Sequence, residues 1–186
     1  FKLEEGKNFT IVADAHPLTE GHILIIPKIH LSCAGEYSEE LFREFQKLYN
    51  KVQRFLKEGY GLVSSFEHGK IGQSVFHSHT HLLPFGGKPE EIVPEGHDKL
   101  KQITSLSRLR TIYEGEGGYL FFSIGDEMWL VDQSLGKPRF FRDRFGAALG
   151  RPERGNWKEM EANKKLMSEA NRTNHTVKQK WASLAK

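Results

Sequence analysis

From residue 38 to residue 59, the apolar residues Leu41, Phe42, Phe45, Leu48, Tyr49, Val52, Phe55 and Leu56 recur at spacings of three and four, with charged and polar residues between them. That period puts them on one face of an α-helix, and so wide an apolar stripe must be buried against another element. Ser38 is a suitable N-cap, Glu39 and Glu40 favour a helix start, and Gly59 supplies a stop. The flanking segments have a different period. Phe9–Ala13 is β-branched and apolar, and residues 22–27 form a nearly continuous apolar run closed by a proline. Residues 61–67 and 77–84 also read as strands, with loops at 14–21 and 68–72. One long amphipathic helix among several strands indicates an α+β fold, an antiparallel sheet with the helix packed on it.

A composition shift at Gly86-Gly87-Lys88-Pro89-Glu90-Glu91, followed by Pro94-Glu95-Gly96, divides the chain into residues 1–88, a linker at 89–100 and an extension at 101–186. In the extension, 119–124 and 127–132 flank Gly125-Asp126 as a β-hairpin would, 139–149 has a helical apolar face, and 157–181 is mostly helical and polar. Residues 1–100 carry 11 Lys and Arg against 14 Asp and Glu, a balance of −3, whereas 101–186 carry 16 against 10, a balance of +6. Apolar residues such as Phe121, Trp129, Phe141, Phe145 and Trp157 need burial, so the extension is expected to pack on the first domain. Arg139, Arg142, Arg144, Arg151 and Arg154 are suited to holding phosphate charge there by paired hydrogen bonds. No apolar run approaches the ~20 residues of a membrane span, and the single cysteine, Cys33, allows no internal disulfide. A soluble, cytoplasmic protein without a membrane partner is the expectation.

Histidines stand at 77, 79 and 81. On a strand they share one face, while Ser78 and Thr80 take the other. A chance polar face is a poor explanation beside the apolar Leu82-Leu83-Pro84, because three clustered imidazoles need partners or solvent. Neighbouring same-face residues lie about 6–7 Å apart, so adjacent pairs could share a metal ion, although all three could do so only with difficulty. The other reading is a nucleophile flanked by hydrogen-bonding groups.

The segment Gln73-Ser74-Val75-Phe76-His77-Ser78-His79-Thr80-His81-Leu82-Leu83-Pro84 resembles the signature of the histidine triad superfamily, in which three histidines alternate with apolar residues after a Gln-Ser/Thr-Val lead. Ser78 and Thr80 depart from the apolar pattern on the side away from the site. Further upstream, Asp14-Ala15-His16-Pro17 and then Gly21-His22-Ile23-Leu24-Ile25-Ile26-Pro27-Lys28-Ile29-His30 are similar to the family's Asp-x-x-Pro loop and its His-x-Leu strand. The likeness covers residues 1–88 and makes that stretch a catalytic domain of histidine triad type.

The resemblance implies substitution at a nucleotide α-phosphate, with dinucleoside polyphosphates, nucleoside phosphoramidates and other nucleotide conjugates as candidate substrates. His79 matches the nucleophile, with its second ring nitrogen held by a backbone carbonyl. His81 and Ser74 match groups that contact phosphate oxygens or protonate the leaving group. His77 matches an orienting residue, His22 a histidine bordering the phosphates, Gln73 the motif glutamine of the phosphate-binding lead, and Asp14 a carboxylate that accepts from the ribose hydroxyls. With all three histidines present, the hydrolase and phosphorylase branches fit better than the uridylyltransferase branch. No resident cofactor or protein-bound metal is implied, and magnesium would enter only with the substrate. A homodimer follows by family analogy. Nucleic acid is the less favoured partner, because the basic extension lacks interleaved aromatics. Relatives often carry Asn or Gln where Phe66 stands, so the contacts around the phosphates are expected to differ here.

Overall fold

In the computed structural model, which describes residues 1–184, eight strands form one sheet in which every pairing is antiparallel. The strands are β1 (Lys2–Glu5), β2 (Phe9–Ala13), β3 (Ile23–Pro27), β4 (Ser64–Gly69), β5 (Thr80–Leu83), β6 (Leu100–Ile103), β7 (Tyr119–Ile124) and β8 (Glu127–Val131). Their spatial order is β1-β2-β3-β5-β4-β7-β8-β6. The helices are α1 (Glu39–Tyr60), α2 (Pro89–Ile92), α3 (Arg108–Glu116), α4 (Phe140–Ala148), α5 (Trp157–Ala162) and α6 (Lys164–Leu184). Among the described residues no helix is long and apolar enough to cross a membrane.

Because side chains alternate along a strand, each strand serves two cores. Phe9, Ile11, Ile23, Ile25, Leu82 and Phe121 join Phe42, Phe45, Tyr49, Val52, Phe55 and Leu56 of α1 in one buried cluster. Phe66, Leu83, Leu120, Phe122 and Val131 join Phe140, Phe141 and Phe145 of α4 in the other. Burial of each large side chain is worth roughly 1.5–3 kcal/mol, so these clusters fix which face α1 and α4 occupy. The sheet runs without a break from the first 88 residues into the extension, since β7 pairs along the whole of β4, Ser64 opposite Ile124 through Gly69 opposite Tyr119.

Several element boundaries differ from the sequence reading. The α1 N-cap is Ser38, whose hydroxyl accepts from Leu41 N–H, but the helix passes Gly59 and stops at Gly61, whose φ of 75° is the left-handed conformation glycine adopts cheaply. His68 and Gly69, expected in a loop, extend β4 because β7 offers partners to both. The segment read as a linker contains α2 and leads directly into β6. The polar helical stretch at the end is two helices, separated at Asn163, whose side chain accepts from Lys165 and Leu166 N–H. Strands β1 and β6 and helix α3 gave no clear signal, being short and largely polar or exposed.

Candidate active site

On β3, Ile23 and Ile25 face the α1 core while Leu24 and Ile26 face the opposite side and line a pocket of about 330 Å³. His81 of β5 lies in register between Leu24 and Phe66, so the sheet sets the imidazole in the pocket wall. His77 and His79 line the same pocket. They do not belong to a strand, contrary to the sequence reading, because the ladder begins only at Thr80. Ser78 N–H donates to Leu31 O at 2.6 Å, and the His77 carbonyl accepts from a side chain, so these groups are lost to sheet pairing. The alternation of faces nevertheless holds. On the far side, the Ser78 hydroxyl meets Tyr37 at 2.7 Å and Glu67 at 3.0 Å, and the buried Glu67 carboxylate also accepts from Ala34 N–H and the Tyr119 hydroxyl. A hydroxyl at the position where relatives carry an apolar residue is thus tied into a polar network beneath the histidines.

Hydrogen-bond accounting fixes the imidazole tautomers. His79 Nδ1–H donates to His77 O at 2.6 Å, which leaves Nε2 with a free lone pair. Leu18 N–H donates to His22 Nδ1 at 3.1 Å, so His22 carries its proton on Nε2 and donates it to His81 Nδ1 at 2.9 Å. His81 must therefore hold its own proton on Nε2. His77 Nε2–H donates to Pro27 O at 2.7 Å, and its Nδ1 accepts from His30 at 3.0 Å. His68, which the sequence reading did not single out as a site residue, also lines the pocket, with Nδ1–H on Ile71 O at 2.9 Å and Nε2 free to accept. Burial pushes the pKa of His79 below the usual imidazole range and that of His81 well below it, and brings His22 and His68 down to about 4. His22, His68, His79 and His81 are therefore neutral at neutral pH.

The structure gathers Asp14, Gln73, Ser74, His77, His79 and His81 around one pocket. His22 is the exception: fully buried, it stands behind His81 and reaches the pocket only through it. Gln73 turns inward, its amide donating to Ser32 O and His68 O, which pins the loop that presents the exposed Ser74. Phe66, in place of the relatives' amide, stacks on His81 with ring centroids 4.2 Å apart and on its far side meets Phe141 and Phe145 of α4.

His16, beside Asp14 in sequence, and Arg139, Arg142 and Trp157 of the extension also line the wall. Arg142 donates to Asp14 Oδ2 at 2.9 Å, His16 O, Gly155 O and Arg154 O. Burial alone would raise the Asp14 carboxyl, but His22 and Arg142 beside it bring it down to about 2. The arginines expected to share one task do not. Arg144 pairs with Glu95, Arg154 with Glu169 and Pro17 O, and exposed Arg151 is not part of the pocket wall. Asp14, His22 and His81 lie close enough to bracket a cation, their ligand atoms within 4.8 Å of one another. A cation there would have to displace the Leu18–His22–His81 hydrogen-bond chain and share Asp14 with the Arg142 guanidinium.

Residues 1–86 match the family model described as the HIT domain. Protein hit of Bacillus subtilis is 34% identical over 91 residues, 47% of this chain and 63% of that protein. A HIT-like protein of Chlamydia trachomatis is 31% identical over 90 residues, 46% of this chain and 80% of the relative. The chain belongs to the HIT family. Adenosine 5'-monophosphoramidase HNT1 of Saccharomyces cerevisiae is 34% identical over 86 residues, 45% of this chain and 53% of the yeast protein. The chain thus spans under two thirds of the Bacillus and yeast proteins, and its own extension lies outside the HIT match.

Proposed function

We propose that this HIT-family chain is a nucleotide hydrolase acting at the α-phosphate through a nucleotidyl-histidine, on a dinucleoside polyphosphate or a nucleoside phosphoramidate. The observation that carries the reading is the hydrogen bond from His79 Nδ1–H to His77 O, which directs the unprotonated Nε2 to a pocket of neutral imidazoles. In the first step the Nε2 lone pair forms a bond to the α-phosphorus while the bond to the leaving group breaks. His81, with its remaining proton on Nε2, donates it to the departing atom. His22 Nε2–H, bonded to His81 Nδ1, would steady the ring that has given up its proton. In the second step water attacks phosphorus and passes a proton back to His81 Nε2, the phosphorus–nitrogen bond breaks, and both His79 and His81 are restored. The Ser74 hydroxyl, on the loop that Gln73 holds and in the pocket wall, would contact the non-bridging oxygens. The yeast relative, an adenosine 5'-monophosphoramidase by name, supports a phosphoramidate as one substrate class.

The test is nucleoside monophosphate release from a panel of adenylated compounds by the parent and by His79→Ala. The variant should lose on the order of 10³-fold or more in rate, as nucleophile deletions do, and keep its nucleotide affinity. His81→Ala should lose about 10²- to 10⁴-fold with a poor leaving group and less with a good one. Comparable rates in His79→Ala and the parent would end this reading. So would a loss of activity in EDTA that stoichiometric zinc restores, which would favour the metal alternative instead.

A further inference from the structure

We infer that Arg139 is a specificity-determining residue that holds the phosphate beyond the α-position, so that the extension turns the site toward substrates with an anionic, phosphate-bearing leaving group. This rests on the nucleotide reading above and narrows its substrate class.

Three observations converge on Arg139. It lines the pocket together with Gly72, Gln73 and Ser74. The two segments are in close contact: a Cβ added at Gly72 would come within 2.6 Å of the Lys137 carbonyl, two residues before Arg139. Arg139 therefore borders the Ser74 loop, while Arg142 is engaged with Asp14 across the site. Secondly, among the described residues the Arg139 guanidinium makes no hydrogen bond, and its Nε is buried without a partner. Its nearest carboxylate, Asp143, lies 3.5 Å from that nitrogen. Arg142, Arg144 and Arg154 by contrast spend their donors on protein acceptors. A buried guanidinium nitrogen with unused hydrogen-bonding capacity is costly unless an acceptor arrives.

The third observation is conformational. Arg139 has φ 64°, one of two non-glycine residues among those described with positive φ. Such a conformation is disfavoured for a side chain that gains nothing from it. It places Arg139 at the N-cap of α4, a helix start with no side-chain cap, so the dipole's positive end adds to the guanidinium. With His79 and His81 neutral and Asp14 matched by Arg142, Arg139 is the other arginine on the pocket wall, its only nearby carboxylate among the described residues being Asp143 at 3.5 Å. A neutral amine leaving group would make no use of it, whereas a further phosphate would take a charge-assisted, two-pronged contact.

The experiment compares the affinity of AMP and ADP for the full chain in metal-free buffer, and kcat/KM for diadenosine tetraphosphate and adenosine 5'-phosphoramidate. The variants are Arg139→Gly, which suits the positive φ and so leaves thermal stability intact, and Arg139→Lys, which keeps a charge. The parent should bind ADP at least about 10-fold more tightly than AMP. Arg139→Gly should erase that preference and lower kcat/KM about 10- to 100-fold for the tetraphosphate, with a change under about 3-fold for the phosphoramidate. Arg139→Lys should recover part of both. An undiminished ADP preference in Arg139→Gly, or equal losses on the two substrates, would overturn the inference. If the parent turned over neither substrate, the hydrolase reading would fall, yet the ADP-to-AMP ratio would still decide the role of Arg139.

Discussion

Each imidazole in the pocket owes its role to one hydrogen bond. The proton on His81 Nε2 is dictated by the relay from Leu18 N–H through His22, and the free lone pair on His79 by the carbonyl two residues before it. Burial holds both rings below the ordinary imidazole pKa, so the nucleophile stays unprotonated as the pH falls through about 6.5. The acid limb of the kcat/KM profile is therefore expected below pH 6.5, measured from pH 4.5 to 9 with a substrate whose own ionisation is flat there; a limb at or above 6.5 would contradict it. His77, His79, His81, Asp14 and Ser74 were legible in the sequence because the patterns that carry them are local. His68 was within reach, since it stands two residues after Phe66 on β4 and so shares its face. Arg139 and Arg142 were named among five arginines suited to phosphate, but which of the five line the pocket was not legible, nor was Trp157, because only the pairing of β4 with β7 and the packing of α4 bring residues this far apart together.

At the scale of elements, the loop that carries Ser74 and the approach to α4 meet closely at Gly72. Gly72 has φ 67°, and a side chain there would strike the Lys137 backbone. Gly72→Ala is accordingly expected to cost about 1–3 kcal/mol in urea unfolding and to lower activity by shifting Ser74, whereas Gly61→Ala, with open space around its Cβ, should cost about 1 kcal/mol and leave activity alone. Equal kinetic effects of the two variants would show that the Ser74 loop does not depend on α4. The helix α1 was readable because its stripe repeats from Leu41 to Leu56, and the hairpin of β7 and β8 because Gly125 takes φ 60° at its turn. The early end expected for α1 at Gly59 and the strand expected from residue 77 failed for different reasons, the first a local cap two residues further on at Gly61 and the second a tertiary partner. Gly59 tolerates helix, and Ser78 N–H finds Leu31 O before it finds a strand.

The whole molecule is one sheet with two covered faces, and its stability is coupled to the neutrality of its buried groups. His22 and His68, brought down to about 4 by burial, bind fewer protons folded than unfolded between that value and about 6.5. Their contribution is thus complete above pH 6.5 and lost as the pH falls toward 4, on the order of 3 kcal/mol for each. Asp14, brought down to about 2, acts in the next window: its contribution is complete above about 4 and lost as the pH falls toward 2. Urea midpoints should therefore drop steeply between pH 7 and 4, and a flat profile there would contradict the burial of these histidines. A chain ending at Lys88 would strip β7 from β4 and α4 from Phe66, so it is expected to lose cooperative unfolding by circular dichroism. The chemistry that this architecture serves is read most directly from mass. The chain is mixed with a nucleotide substrate bearing a good leaving group and quenched in alkali, and the resulting peptides are weighed. The account requires a nucleotidyl adduct on His79, absent from His79→Ala; turnover without such an adduct, or an adduct that survives the loss of His79, would contradict it.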